Sequence, residues 1–225
     1  MATKGLYGVF YKKCVKENGV VTGYEGNVKL MGKAISASFT PNTPEENPLY
    51  ANNAIAENDT SAGSGGSLAL TLDRMTLEVA SELYGTTVKE VTVTVGEEQI
   101  TGKEIEYYGL ETSSPVGTAY IKLQQMDGVQ SHEVLFYKEG TFTRPTDSAQ
   151  TMGESVEWQT PEITGSIMGM QGDGTESWYR VSSWPSQEAA IAYIYNLFGE
   201  DASAAAVNEM MDELNGGDEG EEVGV

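Results

Sequence analysis

Nine segments of this chain alternate residue by residue between two faces, are rich in Val, Ile, Tyr, Phe and Thr, and are separated by clusters of Gly, Asp, Asn and Pro. A period of two puts successive side chains on opposite sides of an extended strand, and short turns between such strands make them antiparallel. The segments run over 6–15, 27–39, 67–73, 87–95, 103–109, 118–126, 131–144, 154–168 and 176–182. Asp127 and Gly128 separate two of them, so 118–144 reads as one hairpin. In "HEVLFYK" both faces are apolar, Val134 and Phe136 on one and Leu135 and Tyr137 on the other. That strand needs cover twice, from a second sheet or from another subunit.

Helical spacing appears in three places. "TLEVASELYG" has Thr76 as N-cap, Leu77, Ala80, Leu83 and Tyr84 at helical intervals and Gly85 as terminator, so one face should pack on the sheet. After Pro185, "SQEAAIAYIYNLFG" opens on Ser186, carries Ala190, Ile191, Ile194, Leu197 and Phe198 on one face, and stops at Gly199. "SAAAVNEMMDELNGG" repeats the logic with Val207, Met210, Met211 and Leu214. The expected organisation is a β domain over 1–184 and a helical, acidic extension over 185–225, with Ile191, Ile194, Leu197 and Phe198 making the extension's contacts. The final "GGDEGEEVGV" lacks core residues and reads as disordered.

Charge excludes more than length does. Thirteen Lys and Arg against 34 Asp and Glu give −21, and the 45 residues from 181 onward hold ten of the acids and no base. Lys and Arg that neutralise phosphates supply most non-specific nucleic-acid affinity, so this chain repels DNA inside the screening length. Cys14 is the only cysteine, which rules out an internal disulfide and a cysteine-rich zinc cluster. No apolar run of 18 residues occurs and "YKKC" interrupts the N-terminus early, which leads to the expectation of a soluble protein made in the cytoplasm.

Between "FTPNTPEE" and "NDTSAGSGG" lies "NPLYANNAIAE". Turn residues flank it on both sides, yet Leu49, Tyr50 and Ile55 gain by burial. Either the stretch folds back on its own domain or it buries them in a partner. "AISASFTPNTPEENPLYANNAIAE", "SGGSLALTLDRMTLEVASELYG" and "FYKEGTFTRPTDSAQTMGESVEWQTPEITGSI" follow one another in this order. Together they resemble the major tail protein family of long, flexible, non-contractile bacteriophage tails, over roughly residues 1–184. The helical extension departs from the minimal pattern of that family.

The resemblance implies a mainly β, antiparallel β-sandwich or barrel-type tail tube fold with one flanking α-helix, to which this chain adds its C-terminal helical extension. It implies a structural virion protein without catalysis or cofactor, assembled in the host bacterial cytoplasm into hexameric rings that stack into a tube. Its partners would be copies of itself, with tape-measure and tail terminator or baseplate proteins; DNA would only pass through, and no membrane is involved. The region 41–66 would be an inter-subunit arm, burying Leu49, Tyr50, Ala51, Ile55 and Ala56 in a neighbour. A closed barrel across subunits would also remove exposed strand edges. By alternation, Glu157 and Gln159 on one strand and Lys122 and Gln124 on another are candidates to face the lumen.

Other readings are thinner. A ring-forming tube protein of a secretion or contractile injection system shares the architecture, and a monomeric β-sandwich binding module would explain the aromatics; Trp158, Trp178 and Trp184 could form a sugar platform, but their size and apolar bodies favour burial in the core or an interface. His132, the sole histidine, has only Cys14 as a nucleophilic partner for a triad. Carboxylate pairs such as Glu154 and Glu157, or Glu157 and Glu162, arise freely among 34 acids, and "MGMQGDGTE" lacks both a phosphate-loop lysine and full calcium-loop spacing.

Overall fold

The structure is a computed structural model, and it describes residues 2–43, 46–51, 54–60, 65–109, 111–146, 151, 159–169 and 177–216. The alternating segments become strands β1 (Ala2–Glu17), β2 (Val20–Gly32), β3 (Ala34–Pro41), β4 (Glu46–Ala51), β5 (Ala54–Thr60), β6 (Gly66–Leu72), β7 (Val88–Val95), β8 (Glu98–Ile105), β9 (Val116–Met126), β10 (Val129–Thr143), β11 (Glu162–Ile167) and β12 (Tyr179–Trp184). The helices are α1 (Leu77–Tyr84), α2 (Gln187–Leu197) and α3 (Ala204–Asn215). The chain is mainly β, and its strand pairs are antiparallel.

Eight strands form one sheet in the order β2-β1-β9-β10-β11-β6-β3, with β12 also on β10. β10 serves two neighbours on one side: His132–Tyr137 pairs β12, and Gly140–Thr143 pairs β11. The sheet curls until β1 and β3, distant in that order, come into contact. Its two halves then face each other over Val9, Tyr11, Leu68, Leu70, Tyr120 and Tyr137, among others.

The segment 27–39 was expected to be one strand and is two. The break falls at Lys33, whose amide donates to the Asp73 carboxylate at 2.8 Å while the Asp73 amide donates to the Lys33 carbonyl at 2.9 Å. On one side of it β2 pairs β1; on the other β3 pairs β6. α1 is capped as its sequence predicts, with the Thr76 hydroxyl accepting from the Val79 amide and Gly85 at φ +68°. Val79, Leu83 and Tyr84 are buried, whereas Leu77 stands exposed.

The second face of β10 is covered by the chain itself. Val134 and Phe136, with Phe10, Val28, Ala119 and Ile121, pack under Ile191, Ile194 and Phe198 of the α2 region and Val207, Met210 and Leu214 of α3. A charged clamp fixes this layer: the buried Lys12 ammonium lies 2.5 Å from Glu200 Oε1 and 3.2 Å from the Phe198 carbonyl, and the Val28 amide donates to Glu200 at 2.9 Å. A cation at a helix C-terminus also complements the helix dipole. Lys12→Ala leaves Glu200 and that carbonyl without their cation, and we expect a loss of about 2–4 kcal/mol, measured by urea unfolding, because one half of a largely desolvated pair is stranded.

Candidate functional site

The region expected to be an arm loop is a hairpin. β4 and β5 pair with each other in a two-stranded sheet of their own, in the register Leu49↔Glu57, Tyr50↔Ile55 and Ala51↔Ala54, with an irregularity between Leu49 and Tyr50. Tyr50 and Ile55, which pair with each other, are strand formers beside "NN", whereas Pro48, Asn58 and Asp59 are poor strand residues, so composition alone does not call for a hairpin here. Leu49, Tyr50, Ala51, Ile55 and Ala56 share one hairpin. It leaves the main sheet where β3 ends and β6 begins: Pro41 pairs Gly66, and the Asn42 amide donates to the Gly65 carbonyl at 3.1 Å.

A second hairpin, β7–β8, also pairs only with itself among the described residues. Its register has no irregularity, so alternation sorts its side chains cleanly. Glu90, Thr92, Thr94, Gln99, Thr101 and Lys103 share one face, and Lys103 reaches Glu78 of α1 at 2.7 Å. The opposite face carries Val91, Val93, Val95 and Ile100, which stand 36, 54, 62 and 48% exposed. The polar face is turned toward the chain's own helix and the apolar face away from it. Alternation places the first strand correctly but puts the second at 103–109; it runs instead from Glu98 to Ile105, because the chain turns back at once at Gly96, φ +68°, and 106–109 lies outside any strand.

Of the described lumen candidates, Lys122 and Gln124 lie on the same face of β9, with Tyr120. Gln159 is exposed but lies outside any strand, because β11 begins only at Glu162. Glu157 falls outside the described residues. Gln124 is buried, and its Oε1 has no hydrogen-bond partner among the described residues, contrary to the expectation of a wet face. The cause is its register on β9, which places it with Tyr120 on the inner side of the curled sheet. Lys122 is half-buried, its ammonium 5.7 Å from the centre of the Tyr120 ring. Of the C-terminal contacts, Ile191, Ile194 and Phe198 are fully buried and Leu197 half-buried, against the chain's own sheet.

Residues with possible chemistry are dispersed. Cys14 lies opposite the Val116 end of β9 and His132 pairs Leu123, about 20 Å along the strand, so no triad joins them. Burial pushes the Cys14 thiol up to about 12, and its Sγ donates to the Lys138 carbonyl. Trp178 packs beside Phe39 and Tyr179, and Trp184 against Tyr193, instead of forming a platform; Trp158, Glu154 and most of "MGMQGDGTE" lie outside the described residues. Among the described residues no group of three or more His, Cys, Asp or Glu could hold a metal ion, and no helix is long and apolar enough to cross a membrane.

His132 is buried beside Tyr7, and its Nδ1 finds no partner among the described residues. Burial holds its pKa below the ordinary value of 6.5. The unfolded chain therefore binds a proton that the folded one resists, so this residue's contribution is present above pH 6.5 and is lost as pH falls below it. Urea midpoints of wild type and His132→Phe, compared from pH 7 to 5, should show wild type losing stability more steeply.

No protein-family model matches the chain. A search of curated proteins returns no match either.

Proposed function

We propose that this chain is a structural subunit that works by associating with copies of itself: the tail tube protein of a long-tailed phage, stacked as hexameric rings around a channel for DNA. The observation that carries this reading is the Glu46–Thr60 hairpin, paired only with itself at the position where the resemblance puts an inter-subunit arm. A lone two-stranded hairpin is marginal in water, and a neighbouring subunit would supply the cover it lacks. The outer edges of β3 and β12, which carry no further strand among the described residues, add surfaces on which strands of a neighbour could align. A net charge of −21 suits a wall past which DNA must slide without sticking.

Negative-stain electron microscopy of the purified protein over a range of concentrations, with light scattering on the same samples, tests the reading. Rings or hollow tubes are expected. A strict monomer at every concentration would instead favour a β-sandwich binding module.

A further inference from the structure

The β7–β8 hairpin is amphipathic in the wrong sense for a monomer. Its polar face meets α1 through Lys103 and Glu78, and its four large apolar side chains face solvent. Among them sits Gly102, directly across from Val91 and in mid-strand. Glycine weakens a strand interior and is kept there for a bulge, a sharp bend or the close approach of something else. The register Val88↔Ile105 to Val95↔Glu98 has no bulge. Gly102 is not at positive φ, and a Cβ built on it would meet only the Val91 carbonyl, at 4.0 Å. Nothing within the described chain requires a glycine at this position, which leaves approach from outside.

We infer that the Val91, Val93, Val95 and Ile100 face packs against the same face of a second copy of this chain, around a two-fold axis running along the strands. In that arrangement β7 of each copy lies over β8 of the other. The cross-strand register then becomes the list of facing pairs: Val91 drops into the gap above the partner copy's Gly102, Val93 meets the partner copy's Ile100, Lys89 faces the partner copy's Glu104, and Val95, beside the turn, lies over the stem of the partner copy's Glu98, whose carboxylate must stay at the solvated rim. A knob over a gap, an apolar pair and an opposite-charge pair are complementary. Stacking the sheets with β7 over β7 would instead set Glu98 against Glu104 and Ile100 against Gly102. Lys89 is already shared with Glu106 and the Tyr108 hydroxyl, yet it is 48% exposed and can offer a further N–H.

Four apolar side chains per copy make a small interface, so the dimer is weak, with a Kd between ~1 mM and ~1 µM. A two-fold contact closes on itself and has no place in a polar stack of rings. The dimer is therefore a form of the free subunit, and it does not depend on the tube reading.

The test is sedimentation velocity on the full-length chain after any polymer has been pelleted, over the widest concentration range it tolerates. Wild type should show a monomer–dimer equilibrium. Val93→Lys should weaken it at least tenfold. Gly102→Val should weaken it as much while leaving the urea midpoint unchanged or higher, since valine suits an open strand position better than glycine. The swap Val91→Gly with Gly102→Val recreates knob and gap with the roles reversed and should restore the dimer. A monomer throughout, or a Gly102→Val protein that dimerises as well as wild type, overturns the inference. Tubes formed by a chain that shows no dimer would sink this inference alone; a dimer from a chain that never forms tubes would sink the tube reading alone.

Discussion

Deleting residues 44–64 should give a folded protein that no longer polymerises. The local geometry favours this outcome. Pro41 is the last paired residue of β3 and Gly66 the first of β6, and Asn42 is already hydrogen-bonded to Gly65. The deletion leaves Asn42, Thr43 and Gly65 as a three-residue connection whose last member, Gly65, already sits at φ +80°. A three-residue hairpin loop ordinarily wants a glycine in that left-handed position. The deleted hairpin has no strand pairing to the main sheet, so the core over Leu68, Leu70 and Leu72 stays closed. Unfolding midpoint and circular dichroism should match wild type, while scattering and microscopy at the highest attainable concentration show no rings or tubes. Normal tubes from this variant would remove the arm from the account of assembly and with it the observation on which the proposed function rests.

What could be read from the residues alone follows a physical division. Strand existence was legible because alternation reports on the local chain: β1, β6, β9 and β10 fall where the pattern puts them, and Asp127 and Gly128 turn between β9 and β10 at positive φ. α1 and both C-terminal helices were legible from caps, since Thr76, Ser186 and Ser203 each accept from an amide three residues on. Partner choice was not legible. Both sides of Lys33 look like strand, and the switch from β1 to β6 depends on Asp73, forty residues away in sequence. Gln124 reads as a wet position by alternation, and only the curl of the sheet encloses it. Alternation likewise divides β7–β8 into two faces without saying that the polar one would be turned to α1.

The same division decides what a truncation after Trp184 should do. From sequence, the helices could pack on the outer face of their own subunit, dock on a neighbour, or delay assembly, and their removal could leave assembly unchanged or hasten it. The structure makes them the third layer of the fold: Ile191, Ile194, Phe198, Val207, Met210 and Leu214 are buried on Phe10, Ile121, Val134 and Phe136. At about 1.5–3 kcal/mol for each large apolar side chain, their burial contributes roughly 10 kcal/mol or more. That is comparable to the whole stability of an ordinary domain, about 5–15 kcal/mol. Truncation would also strip Lys12, 4% exposed, of its partners and open an apolar face along β10. We expect residues 1–184 expressed alone to be insoluble or to lack a cooperative urea transition, whereas a chain ending at Gly216 keeps every residue of the helical layer and should unfold like wild type. Phe198→Ala, a single cut into the same layer, should cost about 3–5 kcal/mol. A soluble 1–184 fragment with a sharp transition near the wild-type midpoint would show that sheet and helices are separable, and the helices would again be candidates for a detachable control on assembly.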